Sequence, residues 1–120
     1  MILIIGGAYQ GKLDFVKENF GITDEEVFTC GGGEIDFSKE CIYKIEEFTC
    51  CHPDPVSYFQ THREEWKDSI LILQDIFCGV VPMGAPNRAW RQRTGRLAQY
   101  LSKEAVQVSR IFCGLEQRLK

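Results

Sequence analysis

Residues Gly6-Gly7-Ala8-Tyr9-Gln10-Gly11-Lys12-Leu13 carry the spacing G-x-x-x-x-G-K directly behind the apolar run Ile2-Leu3-Ile4-Ile5. Glycines so placed let the backbone curl until successive N–H groups point at phosphate oxygens. A helix opening behind the turn adds partial positive charge at its N-terminus, and Lys12 would reach the outer phosphates. The chemistry is phosphate binding, with Gly6, Gly7, Ala8, Tyr9, Gln10, Gly11, Lys12 and Leu13 as the nucleotide-binding stretch. The plainer reading is a glycine-rich strand-to-helix turn with an exposed lysine, but spacing, position and flanking pattern together favour the cradle. One residue departs from the pattern. Where a Ser or Thr hydroxyl ordinarily holds Mg²⁺ stands Leu13, which cannot ligate a metal, so Mg²⁺ is held otherwise or turnover is weakened.

Asp75 closes a second apolar run, Ile70-Leu71-Ile72-Leu73, one residue beyond Gln74. An acid at such a strand end can hold Mg²⁺ or orient a nucleophile in phosphoryl transfer. Lys12 and Asp75 are therefore the candidate catalytic residues and Asp75 the candidate metal ligand. Strands also end in Asp simply because the chain turns there. Arg88, Arg91, Arg93 and Arg96 form a stretch without acids. Arg88 and Arg91 are three apart and Arg88 and Arg96 eight apart, so these three can share a helix side. Guanidinium forks suit phosphate oxygens, which makes Arg88, Arg91 and Arg96 further nucleotide-binding candidates; a solvated basic face is the alternative. His52 and His62 stand alone on polar segments and read as surface residues.

The elements that must position these groups follow from the pattern of the 120 residues. A chain of this length makes one domain, spanning residues 1–120. Its 44% hydrophobic and 26% charged content is that of a globular protein. The net charge of −3 gives no case for nucleic-acid or membrane binding. Residues 2–5 read as a strand buried on both faces, 12–20 as a helix stopped by Gly21, and 26–30 as a short strand before Gly31-Gly32-Gly33. Cys41, Ile42, Ile45 and Phe48 fall on one face of a helix over 38–49 with Ser38 as its cap. Asp54 caps a helix that starts at Pro55 and carries Val56, Phe59 and Trp66 inward. Residues 69–73 read as a strand, 87–103 as a helix striped by Trp90, Leu97 and Leu101, and 106–113 and 115–119 as closing strands.

Strands alternating with helices predict an α/β fold, a P-loop NTPase-like three-layer sandwich whose mainly parallel sheet has helices on both faces. Ligands of such sheets bind beyond the carboxyl ends of the strands, where residues 6–12, 31–33 and Asp75 all fall. The chain opens without a basic leader or a long apolar run, so a cytoplasmic protein with six reduced cysteines is expected. Cys30, Cys78 and Cys113 sit near the ends of apolar runs and read as small core hydrophobes. Cys50-Cys51-His52 lacks the two-residue spacer and the second ligand pair of a zinc site.

Residues 1–12 and 79–120 resemble the adenosylcobinamide kinase/adenosylcobinamide-phosphate guanylyltransferase family of cobalamin biosynthesis. The matching residues are the opening Ile-Leu-Ile-Ile-Gly-Gly-Ala-x-x-Gly-Lys, then Gly79-Val80-Val81-Pro82, Arg88-x-Trp90-Arg91, Gly95-Arg96-Leu97, Gln99 and Leu101, with Gly114 closing the last strand. The resemblance implies a P-loop kinase that phosphorylates a corrinoid amino alcohol from ATP or GTP with Mg²⁺, and it hints at a homo-oligomer. It also implies guanylyl transfer through a histidine, but neither His52 nor His62 matches that position and the segment around it is missing here. The family's Ser is Leu13, its Asp after Arg-x-aromatic-Arg is Gln92, and its Glu before Gly-x-Val-Pro corresponds to Asp75. The expectation is a kinase without the guanylyltransferase step, or else a non-catalytic nucleotide-binding or regulatory module.

Overall fold

The computed structural model describes residues 1–7, 10–75 and 85–120, the side chains of 85–87 excepted. Ala8, Tyr9, Cys78 and the stretch 79–82 lie outside the described residues. Among the described residues six strands form one sheet: β1 (Ile2–Gly6), β2 (Val27–Thr29), β3 (Cys41–Tyr43), β4 (Ile70–Gln74), β5 (Gln107–Phe112) and β6 (Leu115–Arg118). Their order is β2-β3-β4-β1-β5-β6. Every pairing is parallel except β5 with β6, which is antiparallel. The described helices are α1 (Lys12–Phe20), α2 (Ile45–Cys51), α3 (Pro55–Thr61), α4 (Arg63–Trp66) and α5 (Ala85–Glu104).

The apolar runs are unbroken because both faces of the central strands are covered. Leu3, Leu71, Leu73 and Val108 point to one side, where Ile45, Phe48, Phe59, Trp66, Leu97 and Leu101 of the four later helices meet them. Ile4, Ile70, Ile72, Cys41 and Ile111 point to the other, against Val16 with Leu13, Phe15 and Phe20 of α1. Each fully buried Leu or Ile contributes about 1.5–3 kcal/mol, so the alternation along β1 and β4 is what fixes register. The result is an α/β fold with a mostly parallel sheet flanked by helices on both faces.

Two expectations need correction. No helix covers 38–49: Cys41 is buried toward α1 and Ile42 toward α2–α5, the period of two that belongs to a strand. The helical part begins only at Ile45, after Lys44 turns the chain at φ 59. Ser38 is not a helix cap; its N–H donates to Asp36 Oδ1 at 3.0 Å within a tight turn. Asp54 does cap the helix that starts at Pro55, accepting Ser57 N–H at 3.2 Å. That helix breaks at His62, and Trp66 is carried inward on the short α4, where its Nε1 donates to the Phe59 carbonyl at 2.7 Å. The second correction concerns Cys113, which is exposed in a left-handed turn residue at φ 51 and not packed in the core. Cys30 is buried as expected.

Candidate phosphate-binding site

The turn behind β1 is shaped by two glycines that no other residue replaces without cost. A Cβ on Gly6 would lie 2.6 Å from the Ile111 carbonyl oxygen of the neighbouring strand. Gly11 caps α1 in the left-handed region at φ 82, where an L side chain costs roughly 1–2 kcal/mol. Its carbonyl starts the helix by accepting the Phe15 N–H at 2.9 Å. The N–H groups of the first turn of α1, which have no acceptor within the helix itself, therefore lie at the carboxyl end of β1, beside Lys12.

Lys12 is 7% exposed. Its Nζ donates to the Gly7 carbonyl at 2.6 Å, closing the turn on itself. Burial lowers the ammonium's pKa below that of a free lysine, and the negative charge of Glu46 opposes that lowering. Glu46 is itself 3% exposed, and its Oε1 accepts the Gln74 N–H at 2.9 Å at the end of β4. A buried ammonium and a buried carboxylate thus share the carboxyl edge of the sheet.

Glu46 is held there by α5. Trp90 Nε1 donates to the Glu46 carbonyl at 2.8 Å and to Thr49 Oγ1 at 3.0 Å. Thr49 and Thr94 hydroxyls meet at 2.6 Å, and Thr94 Oγ1 returns to the Trp90 carbonyl at 2.8 Å. These bonds lock α5 to α2 in a buried setting where an unmade hydrogen bond is expensive.

The far side of the turn is strapped by the hairpin between β5 and β6. The Gln10 carbonyl accepts the Gly114 N–H at 2.9 Å, and Gln10 Oε1 accepts the Cys113 N–H at 2.6 Å.

A cavity of about 570 Å³ opens between these elements, lined by Gln10, Gly11, Lys12, Leu13, Asp14, Tyr43, Lys44 and Gln74. That volume is within the range of small-ligand sites. Gln10, Gly11, Lys12 and Leu13 thus share one cavity. Asp75 is tied to the same corner, its N–H donating to the Gly6 carbonyl at 2.7 Å. Neither a family model nor a curated protein matches this chain.

The arginines are placed differently. Arg88 and Arg96 are exposed on α5 and Arg91 is half-buried. None of the three is among the described residues that line the cavity. Arg93 closes the C-terminus of α2, its Nε and Nη2 donating to the Thr49 and Cys50 carbonyls at 3.1 Å each. Residues 31–33 lie at the carboxyl end of β2, but Gly32 and Gly33 open onto a separate cavity of about 220 Å³ with Phe48, His52 and Tyr58. His52 stacks on Phe48 at 4.9 Å, and His62 is hydrogen-bonded to Glu65.

Glu46, Tyr43 and Lys44 are the residues that sequence reasoning passed over. Glu46 stands among the many acids of residues 24–47 with no local feature that singles it out, and the helix expected over 38–49 masks the strand end that carries Tyr43. The available signal was the β-branched and aromatic pair Ile42-Tyr43 before the acid pair Glu46-Glu47, a strand end followed by a helix start.

Proposed function

We propose that this chain binds a nucleoside triphosphate, ATP or GTP, with its terminal phosphates beside Lys12, as a P-loop protein of the adenosylcobinamide kinase type. The observation that carries the reading is a buried lysine, a left-handed glycine and a helix N-terminus lining one cavity at the carboxyl end of the central strand. Backbone N–H groups and a desolvated ammonium are strong partners for phosphate oxygens, because water does not compete for them. In the kinase reaction a hydroxyl oxygen of a corrinoid amino alcohol attacks the γ-phosphorus, the bond to the bridging oxygen breaks, the nucleoside diphosphate leaves, and the hydroxyl proton passes to Asp75 and from there to solvent. Lys12 stabilises the charge on the transferring group, and Asp75 orients the attacking hydroxyl or holds Mg²⁺.

Among the described residues no three carboxylate, imidazole or thiol groups gather as a metal site, so a hard cation here would be held chiefly by the phosphate oxygens, with Asp14 on the cavity wall and Asp75 at its corner as the nearest protein carboxylates. When bound, Mg²⁺ neutralises charge on the phosphates. Leu13 contributes nothing to it. That substitution, at a position lining the cavity, supports a second reading in which the chain binds nucleotide as a regulatory module without turnover. Guanylyl transfer is absent from both readings, because neither His52 nor His62 matches the position of the guanylylated histidine in the family this chain resembles.

Incubation with adenosylcobinamide and γ-labelled ATP or GTP separates the readings. Label in the corrinoid, lost in Lys12→Ala, supports the kinase; nucleotide binding without transfer supports the module. A mass increase of the protein after incubation with GTP alone would contradict the absence of guanylyl transfer.

A further inference from the structure

β6 is the outer strand of the sheet among the described residues, and an outer strand offers a row of unpaired N–H and C=O groups. It is also unusually apolar on one face. Leu115 is 72% exposed, Phe112 58% and Leu119 53%. Pairing of Phe112 with Leu115 and of Arg110 with Gln117, together with strand alternation, places all three apolar residues on the same side of the sheet. A groove of about 360 Å³ lined by Arg110, Phe112, Leu115, Glu116 and Gln117 runs along this edge.

The five residues Leu115-Glu116-Gln117-Arg118-Leu119 read symmetrically about Gln117: apolar, acid, amide, base, apolar. Backbone geometry decides whether that symmetry is usable. The Leu119 N–H donates to the Val108 carbonyl at 2.8 Å. By the alternation of an antiparallel ladder, the Leu119 N–H and the backbone groups of Gln117 and Leu115 therefore turn toward β5, and those of Glu116 and Arg118 turn outward. Two antiparallel copies of β6 can bond only where outward residues meet outward residues, so a two-fold axis must pass through a residue. An axis at Glu116 sets two glutamates against each other, and one at Arg118 sets two arginines. An axis at Gln117 sets Glu116 opposite Arg118 of the partner subunit, twice, as the hydrogen-bonded pairs. It also sets Leu115 opposite Leu119 of the partner subunit, twice, at the non-hydrogen-bonded positions where side chains come closest.

We propose that β6 pairs with β6 of a second copy of this chain about a two-fold axis at Gln117, forming an isologous dimer with one continuous sheet. Opposite charges meet on one face and leucines on the other, and the exposed edge is removed. Within the chain, Glu116 Oε2 accepts from Ser109 Oγ at 2.6 Å and Arg118 Nε donates to the Lys120 carbonyl at 3.0 Å. Each contact uses one oxygen of the carboxylate or one nitrogen of the guanidinium. The inference is independent of nucleotide binding.

The test is sedimentation equilibrium at about 100 µM chain, since a two-strand interface is at the small, weak end of the range. Wild type is expected at twice the 13.8 kDa chain mass. Glu116→Arg and Arg118→Glu, each alone, place like charges opposite one another and are expected to be monomers. Mixing the two variants restores opposite charges at both pairs, and dimers are expected to return; the doubly exchanged chain is expected to dimerise by itself. Both side chains are exposed, and circular dichroism verifies that each variant is folded. A monomeric wild type, single variants that remain dimeric, or an assembly larger than two would overturn the proposal.

Discussion

Gln10 and Cys113 are joined by a 2.6 Å hydrogen bond across 103 residues of sequence, so the turn behind β1 and the β5–β6 hairpin are one structural unit. Removing the side chain breaks this bond and leaves the Gly114 bond to the Gln10 carbonyl. Gln10→Ala is expected to cost about 0.5–1.5 kcal/mol in urea denaturation and to weaken nucleotide binding, because the N–H groups of the turn lose their fixed direction. Gln10→Glu keeps an acceptor for Cys113 and should recover most of the stability.

Gly6 and Gly11 are expected to fail for different reasons when replaced by alanine. At Gly6 the new methyl meets the Ile111 carbonyl at 2.6 Å, so β1 and β5 must separate. A loss of about 3 kcal/mol or more is expected, in line with overpacking between rigid elements. At Gly11 the penalty is the left-handed conformation alone, about 1–2 kcal/mol. A denaturation midpoint that falls further for Gly11→Ala than for Gly6→Ala would contradict this assignment.

These two glycines were legible in the sequence because their spacing and the preceding apolar run encode a physical requirement of the turn. The parallel core was legible for a similar reason: four consecutive apolar residues in β1 and in β4 leave no solvent face. Strand β3 was not. Its three residues are too few to display a period, and Cys41, Ile42, Ile45 and Phe48 mimic a helical stripe. Glu46 was lost with it, since its burial depends on Gln74 and on Trp90, which are distant in sequence. The two closing strands were legible, but the bonds that tie their turn to Gln10 were not, because nothing local announces which turn a glutamine will meet.

Trp90 supports Glu46 from α5, and its indole N–H is the group that does so. Trp90→Phe keeps the apolar bulk and removes a donor shared by the Glu46 carbonyl and Thr49. A loss of about 1–2 kcal/mol is expected by thermal denaturation. Full stability in this variant would mean that the Trp90–Thr49–Thr94 network does not hold α2.

Among the described cysteines Cys30 and Cys41 are buried, and their thiols weaken the fold at alkaline pH. Burial pushes Cys30 and Cys41 up from 9.0 to about 12. Both thiols stay protonated in the folded chain where the unfolded chain has lost its protons. Their contribution is fully present below pH 9 and is lost as pH rises from 9 toward 12, by up to about 1.4 kcal/mol per unit per thiol. Lys12 runs the other way, because its lowered value makes the unfolded chain the better proton binder just below 10.5. Cys30→Ala with Cys41→Ala is expected to flatten the fall measured between pH 9 and 11. Alkylation of the native protein should mark Cys50, Cys51 and Cys113, and reach Cys30 and Cys41 only in denaturant.

Leu13→Ser restores an oxygen at the position beside Lys12. The kinase reading expects a rise in Mg²⁺-dependent phosphoryl transfer to the corrinoid, and the module reading expects tighter Mg²⁺-nucleotide binding without transfer. Steady-state rates with and without Mg²⁺ distinguish them.

Lys12 and its turn are proposed to hold the phosphates of a nucleotide. Thermal-shift titration with ATP and GTP, with and without Mg²⁺, tests this most directly on wild type and Lys12→Met. A ligand at a hundred times its Kd stabilises the folded state by about 2.7 kcal/mol. A concentration-dependent rise in Tm is expected for wild type. For Lys12→Met no rise is expected; its ligand-free Tm is lower than wild type, because the variant gives up the bond to the Gly7 carbonyl and the positive charge facing Glu46. An equal rise in both proteins, or none in wild type with either nucleotide, would contradict it.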